Sequence, residues 1–180
     1  MDSDRHLIVL RGNSATGKTT LARALQLAMG RGTANVGQDH FRRIVLREHD
    51  VPGGANIALI EHTVRQCLSL GWHTIVEGIF YEAHYGDMLR GLLTNHRGPS
   101  HVFYLDLPLD DTMLRHEQRP LSTEVPSERL RDWYRPQDLL GVDGERILDA
   151  SLPVEELVRV VTASVDPITP RADVGGLETL

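Results

Sequence analysis

The sequence predicts a three-layer α/β domain, with a parallel sheet covered by helices on both faces. Three observations carry that prediction. Short apolar runs rich in Val, Ile and Leu recur along the 180 residues. Segments of helical period separate them. A helical crossover of that kind is how neighbouring parallel strands are joined.

The elements follow in order. Residues 7–11, "LIVLR", form strand 1. Helix 1 runs Lys18–Met29, with Leu21, Leu25 and Ala28 on one face and Gly30 as its stop. Residues 33–39 are a weaker second strand, and 40–48 a short helix. Residues 56–70 form a helix ended by Gly71, and 73–79, "HTIVEGI", form strand 3. A helix over 82–96 leads to strand 4 at 101–107. Pro108 opens the next helix, whose early aspartates suit the helix dipole. Residues 126–135 are helical, 145–150 make strand 5, and Pro153 opens the last helix, 153–165. The domain therefore spans 1–165. The tail, 166–180, has two prolines and no periodicity and is expected to be loose.

Composition narrows the class. Apolar residues make up 41% and charged residues 24%, the balance of a soluble globular domain. No apolar run reaches membrane-span length, and "MDSDRH" is not a signal peptide. One cysteine, Cys67, excludes an internal disulfide and fits a reducing, cytoplasmic setting; its helical context reads as core. The net charge of −6 disfavours nucleic acid as a partner. All but one of the 19 Lys+Arg residues are arginine, and the exception is Lys18. A position that stays lysine in such a chain calls for a compact ammonium on a flexible stem.

Lys18 lies in "GNSATGKT", which fits G-x-x-x-x-G-K-[ST] between a strand and a helix. Gly12, Asn13, Ser14, Ala15, Thr16, Gly17, Lys18, Thr19 and Thr20 are thus the expected nucleotide-binding residues. Their N–H groups form an anion nest beside a helix N-terminus. Lys18 reaches the β- and γ-phosphates, and the Thr19 hydroxyl ligates Mg²⁺. The chain has no N-K-x-D to read guanine, which favours ATP.

The other strand ends suggest what the nucleotide is for. Asp39, after strand 2, is placed to orient an incoming hydroxyl and take its proton; an N-cap role is the plainer alternative. Arg42 and Arg43 follow, one a candidate for holding the acceptor and the other for the surface. Glu77 closes strand 3, where a carboxylate serves a metal shell or an acceptor hydroxyl, unless it is an exposed loop acid. Tyr81 either walls the acceptor pocket or packs. Arg115 and Arg119 share one helix face and read as an arginine-bearing lid over about 115–140. Arginines on such a segment neutralise a transferring phosphoryl group. Arg129, Arg131 and Arg135 stay open between lid and solvated surface.

"GNSATGKTT", "GQD", "VEG" and "LRHEQR" together make the chain resemble the small P-loop kinases of the adenylate, shikimate and gluconate kinase group. Within it, the pattern is most similar to chloramphenicol phosphotransferase and zeta-toxin-like kinases. The resemblance covers about residues 5–165. It implies five parallel strands in order 2-3-1-4-5 and MgATP-dependent transfer of the γ-phosphate to a hydroxyl of an antibiotic, nucleoside, sugar or related metabolite. It also implies Asp39 as base, Glu77 as acceptor or metal-shell ligand, Arg119 as a catalytic phosphate clamp, and Arg115 against adenine or phosphate. "DASLP", after strand 5, would border the base. "EGIF" stands where adenylate kinases have aspartate followed by "GFPR", which argues against a nucleoside monophosphate acceptor. A regulatory ATP-binding NTPase module and a toxin-like kinase of a nucleotide sugar are the alternatives.

Overall fold

The computed structural model describes residues 4–118 and 127–165. The tail and Arg119 lie outside them, as does part of the expected lid. Strands β1 (Leu7–Gly12), β2 (Thr33–Gly37), β3 (His73–Glu77), β4 (Ser100–Asp106) and β5 (Arg146–Asp149) form one sheet in the order β2-β3-β1-β4-β5. Every pairing is parallel. The helices are α1 (Lys18–Met29), α2 (Ala55–Ser69), α3 (Glu82–Asn95), α4 (Leu109–Glu117), α5 (Ser127–Trp133) and α6 (Val154–Val165). No described helix is long and apolar enough to cross a membrane.

β1 explains why two helical layers are needed. Side chains alternate along a strand, and both of its faces are apolar. Ile8 and Leu10 pack with Leu21 and Leu25 of α1 and Leu157 and Val161 of α6. Leu7 and Val9 pack on the opposite face with Ile60 and Val64 of α2 and Leu89 of α3. A central strand buried on both sides reads as a continuous apolar run, as this one does. Truncating Leu25, which has no exposure, to alanine would cost about 2–5 kcal/mol.

Two expectations shift. β2 stops at Gly37, short of Asp39. The helix expected over 40–48 is a π-helical turn, His40–Val45, in which Leu46 N donates to Phe41 O five residues back. Glu48 lies outside that turn and serves α2. Its carboxylate accepts from Ala55 N (3.2 Å), Asn56 N (2.6 Å) and Asn56 Nδ2 (2.6 Å), capping a helix that starts after a glycine. Cys67 is half-buried on α2, and burial raises its thiol pKa.

Arg11 interrupts the apolar run of β1 with a charge that has no solvent exposure. A buried guanidinium is tolerated only with its donors satisfied. It donates to Phe80 O (2.8 and 3.2 Å), Asp138 (3.2 Å) and Glu145 (3.3 Å) and lies 5.9 Å from the Tyr104 ring centroid. Glu145 also accepts from Leu140 N and Gly141 N. This knot ties β1 to the turn after β3 and to the segment entering β5.

Candidate active site

The loop between β1 and α1 leaves the sheet at Gly12, where φ is +145° and a Cβ would stand 2.4 Å from Leu105 O. Only glycine fits that approach. Ala15 (φ +61°) and Gly17 (φ +93°) are left-handed as well, which turns successive N–H groups to one side as an anion-binding concavity. Gly17 occupies the N-cap of α1 with no side-chain cap, so the first-turn donors are left for a ligand.

Lys18 is buried beneath this loop. Its Nζ donates to Asn13 O (2.5 Å) and Thr16 Oγ1 (3.3 Å), and Thr16 Oγ1 donates to Asn13 O (3.0 Å). The Thr19 hydroxyl donates to Glu77 Oε1 at 3.1 Å. Glu77 is not a loop acid: it ends β3 with 7% exposure. Burial raises its carboxyl above the usual range, opposed by Lys18 and the Thr19 hydrogen bond. A Cβ on Gly37 would come within 2.9 Å of Glu77 Oε1, so the glycine leaves this carboxylate its room. Two hard oxygens at this position, one a desolvated carboxylate, suit Mg²⁺.

Asp39 lies beyond the end of β2 and makes no N-cap hydrogen bond with its side chain. Its Oδ1 accepts from Arg42 Nη2 (2.9 Å) and Arg43 Nε (3.2 Å). Both arginines therefore already have a partner, with Arg42 the more buried of the two.

Two hollows meet at the loop, and Ala15 and Gly17 line both. One is a cleft of about 590 Å³ that gathers Lys18, Thr19, Asp39, Arg42, Arg43 and Glu77. Tyr81 is on its wall, its hydroxyl donating to Trp133 O (2.5 Å), and burial pushes its pKa up to about 12. The other is a slot of about 250 Å³ bordered by Thr20, Arg115, Ala150, Leu152 and Val154. Arg115 is thus parted from the cleft, and "DASLP" does line the slot. Asn13 and Ser14 separate in role: Ser14 lines the cleft, whereas the Asn13 side chain is buried and turned to Arg135.

Sequence reading missed Asp50, His84 and Trp133 in the cleft, and left Arg135 open between lid and surface. Asp50 comes from the loop before α2 and is held by Tyr85 OH (2.8 Å) and Gln38 Nε2 (3.4 Å). His84 has Nδ1 3.9 Å from Asp50 Oδ1. Trp133, the last residue of α5, and Arg135 just after it, whose guanidinium is 5.8 Å from the Tyr81 ring centroid, join the same wall. "GQD" was the one signal near Gln38; nothing local marks Asp50 or His84.

Solved structures share the fold. A candidate kinase from Chloroflexus aurantiacus superposes with a TM-score of 0.71 at 22% identity, over 93% of this chain and 99% of that one. The APS kinase CysC of Mycobacterium tuberculosis, solved with AMPPNP and APS, gives 0.68 at 16% identity over 89% and 97%. A gluconokinase from Sinorhizobium meliloti gives 0.63 at 18% over 91% and 93%. No curated protein gives a significant match. The model of the AAA domain family matches residues 7–138, well over half of the chain. With its phosphate-binding loop set on a 2-3-1-4-5 parallel sheet, the chain belongs to this family and has the fold of the small P-loop kinases.

Proposed function

We propose that the protein is an ATP-dependent phosphotransferase acting on a hydroxyl of a small molecule. The observation that carries this reading is the pair of hollows sharing the wall of one phosphate-binding loop. The slot takes the base of ATP between Arg115 and the apolar side chains around Leu152. The triphosphate then lies over the loop, and the acceptor enters through the larger cleft.

The chain's residues divide the work. Loop N–H groups and the α1 N-terminus hold the phosphates. Lys18 exchanges Asn13 O and Thr16 Oγ1 for β- and γ-phosphate oxygens. Thr19 holds Mg²⁺ with Glu77 behind it, and the bound metal spreads the charge of the phosphates. The acceptor oxygen attacks the γ-phosphorus, the bond from that phosphorus to the ADP oxygen breaks, and the acceptor proton passes to the Asp39 carboxylate. Arg42 and Arg43 hold Asp39 in place and compensate its charge beside the incoming phosphate. Arg119 remains a proposed clamp on the same phosphate. Tyr81, Trp133 and Asp50 offer ring faces and a fixed carboxylate, a surface suited to hydroxyl-bearing acceptors.

The test uses ATP labelled at the γ-position with Mg²⁺ and a panel of hydroxylated small molecules. Label transferred to an acceptor, and lost in Lys18→Ala, is the expected result. MgAMPPNP binding without transfer to any acceptor would replace the reading with a regulatory nucleotide-binding module.

A further inference from the structure

Asn13 does more than its place in the phosphate loop requires. Its main-chain carbonyl accepts from Lys18 Nζ at 2.5 Å. Its side-chain amide meets both main-chain polar groups of Arg135: Arg135 N donates to Oδ1 (2.9 Å), and Nδ2 donates to Arg135 O (2.7 Å). Nδ2 also lies 3.1 Å from Tyr104 OH, which in turn reaches Arg135 O (3.2 Å) and accepts from Asp138 N (3.3 Å). Asn13 is 3% exposed, so these bonds are made away from water, where an unmatched amide is costly. Position 13 is otherwise a free one in G-x-x-x-x-G-K-[ST], and any residue would supply the carbonyl.

Arg135 is pinned by its main chain, and its exposed guanidinium extends over the Tyr81 ring into the cleft that holds Lys18. There Nη1 donates to Asp132 O and Tyr134 O, which leaves Nε and Nη2 for a ligand among the described residues. Arg42 and Arg43 are committed to Asp39. Arg129 shares the cleft, but among the described residues nothing ties it to the loop.

We propose that Asn13 is a positioning residue whose side chain holds the Arg135 main chain beside the phosphate loop, and that Arg135 contacts the phosphoryl group in transfer. This rests on the phosphotransferase reading and names the cation that completes its site. Ground-state binding of the nucleotide uses the loop and Lys18. The contribution of Arg135 appears only as negative charge spreads over the transferring group.

Aluminium fluoride with MgADP imitates that group and needs no knowledge of the acceptor. Calorimetry on the full chain is expected to show aluminium fluoride tightening MgADP at least about thirtyfold. Arg135→Ala should abolish that gain and leave MgADP alone within about threefold. Asn13→Ala should reduce the gain about tenfold with the same small change in MgADP alone. Asn13→Asp, which keeps the acceptor for Arg135 N but loses the donor, should fall between. Arg135→Ala is a surface substitution that decides the phosphoryl contact, and Asn13→Asp decides the positioning role if Asn13→Ala does not fold. A full gain in Arg135→Ala overturns the proposal, as does a parallel loss of both affinities in Asn13→Ala. A wild-type protein that binds MgADP without any gain overturns it and spares nucleotide binding. No MgADP binding at all sinks the phosphotransferase reading first.

Discussion

The two hollows that share the phosphate loop are made of different material. The slot is built from Leu152, Val154 and Leu157 around the β5–α6 turn, closed by one arginine. The cleft is built from charged and aromatic side chains on segments that follow β2, β3 and α5. Apolar surface against a helix start suits a ligand that never changes. Loops on a rigid sheet suit one that differs between relatives, because their side chains vary without disturbing the core. The contrast predicts that damage to the slot weakens ATP alone and damage to the cleft removes transfer alone.

The largest effect strikes the shared wall. Lys18→Ala should lower transfer at least about 10²–10³-fold and weaken MgAMPPNP, read by calorimetry and a labelled-phosphate assay. Within the cleft, Asp39→Ala should lower kcat about 10²–10⁴-fold, with MgAMPPNP affinity within about threefold. An equal loss of both would break the division between hollows. In the slot, Arg115→Ala should raise the KM for ATP about tenfold, equivalent to about 1.4 kcal/mol, and leave the acceptor KM unchanged. A matching rise in acceptor KM would show that the hollows communicate.

The smallest effect lies outside both, at the opposite end of the sheet. His6 Nδ1 is 3.1 Å from His101 Nε2, and the His6 N–H donates to His73 Nδ1. Burial first, then the neighbouring imidazoles and Arg5, lowers the His6 pKa from 6.5 to about 4. The unfolded chain therefore binds more protons between these values, and stability falls as pH drops from 6.5 toward 4. Tm should decline across that window, and His6→Gln should flatten the decline with nucleotide binding intact. An unchanged slope would exclude this cluster as the acid-sensitive element.

Much of the molecule was legible along the chain. Helix 1 was read at its observed bounds because Leu21 and Leu25 repeat at helical spacing and Gly30 stops it at φ +77°. The phosphate loop was legible because its task is done by consecutive main-chain groups. Glu77 was found by its place at a strand end. The groups that accommodate its burial were not, since Thr19 and Gly37 meet it from other elements. The π-helical turn escaped because its Leu46 N to Phe41 O bond spans five residues, a register that apolar spacing does not mark.

Local order thus came from the sequence itself: which residues are strand, which are helix, and where a phosphate is cradled. Those choices depend on neighbours within a few positions. The tertiary structure alone decided which distant groups share a site. Asn13 meets Arg135 across 122 positions, and Arg11 meets Glu145 across 134. Such pairs form because a parallel sheet gathers its strand ends at one edge, and the buried charges gathered there must find partners.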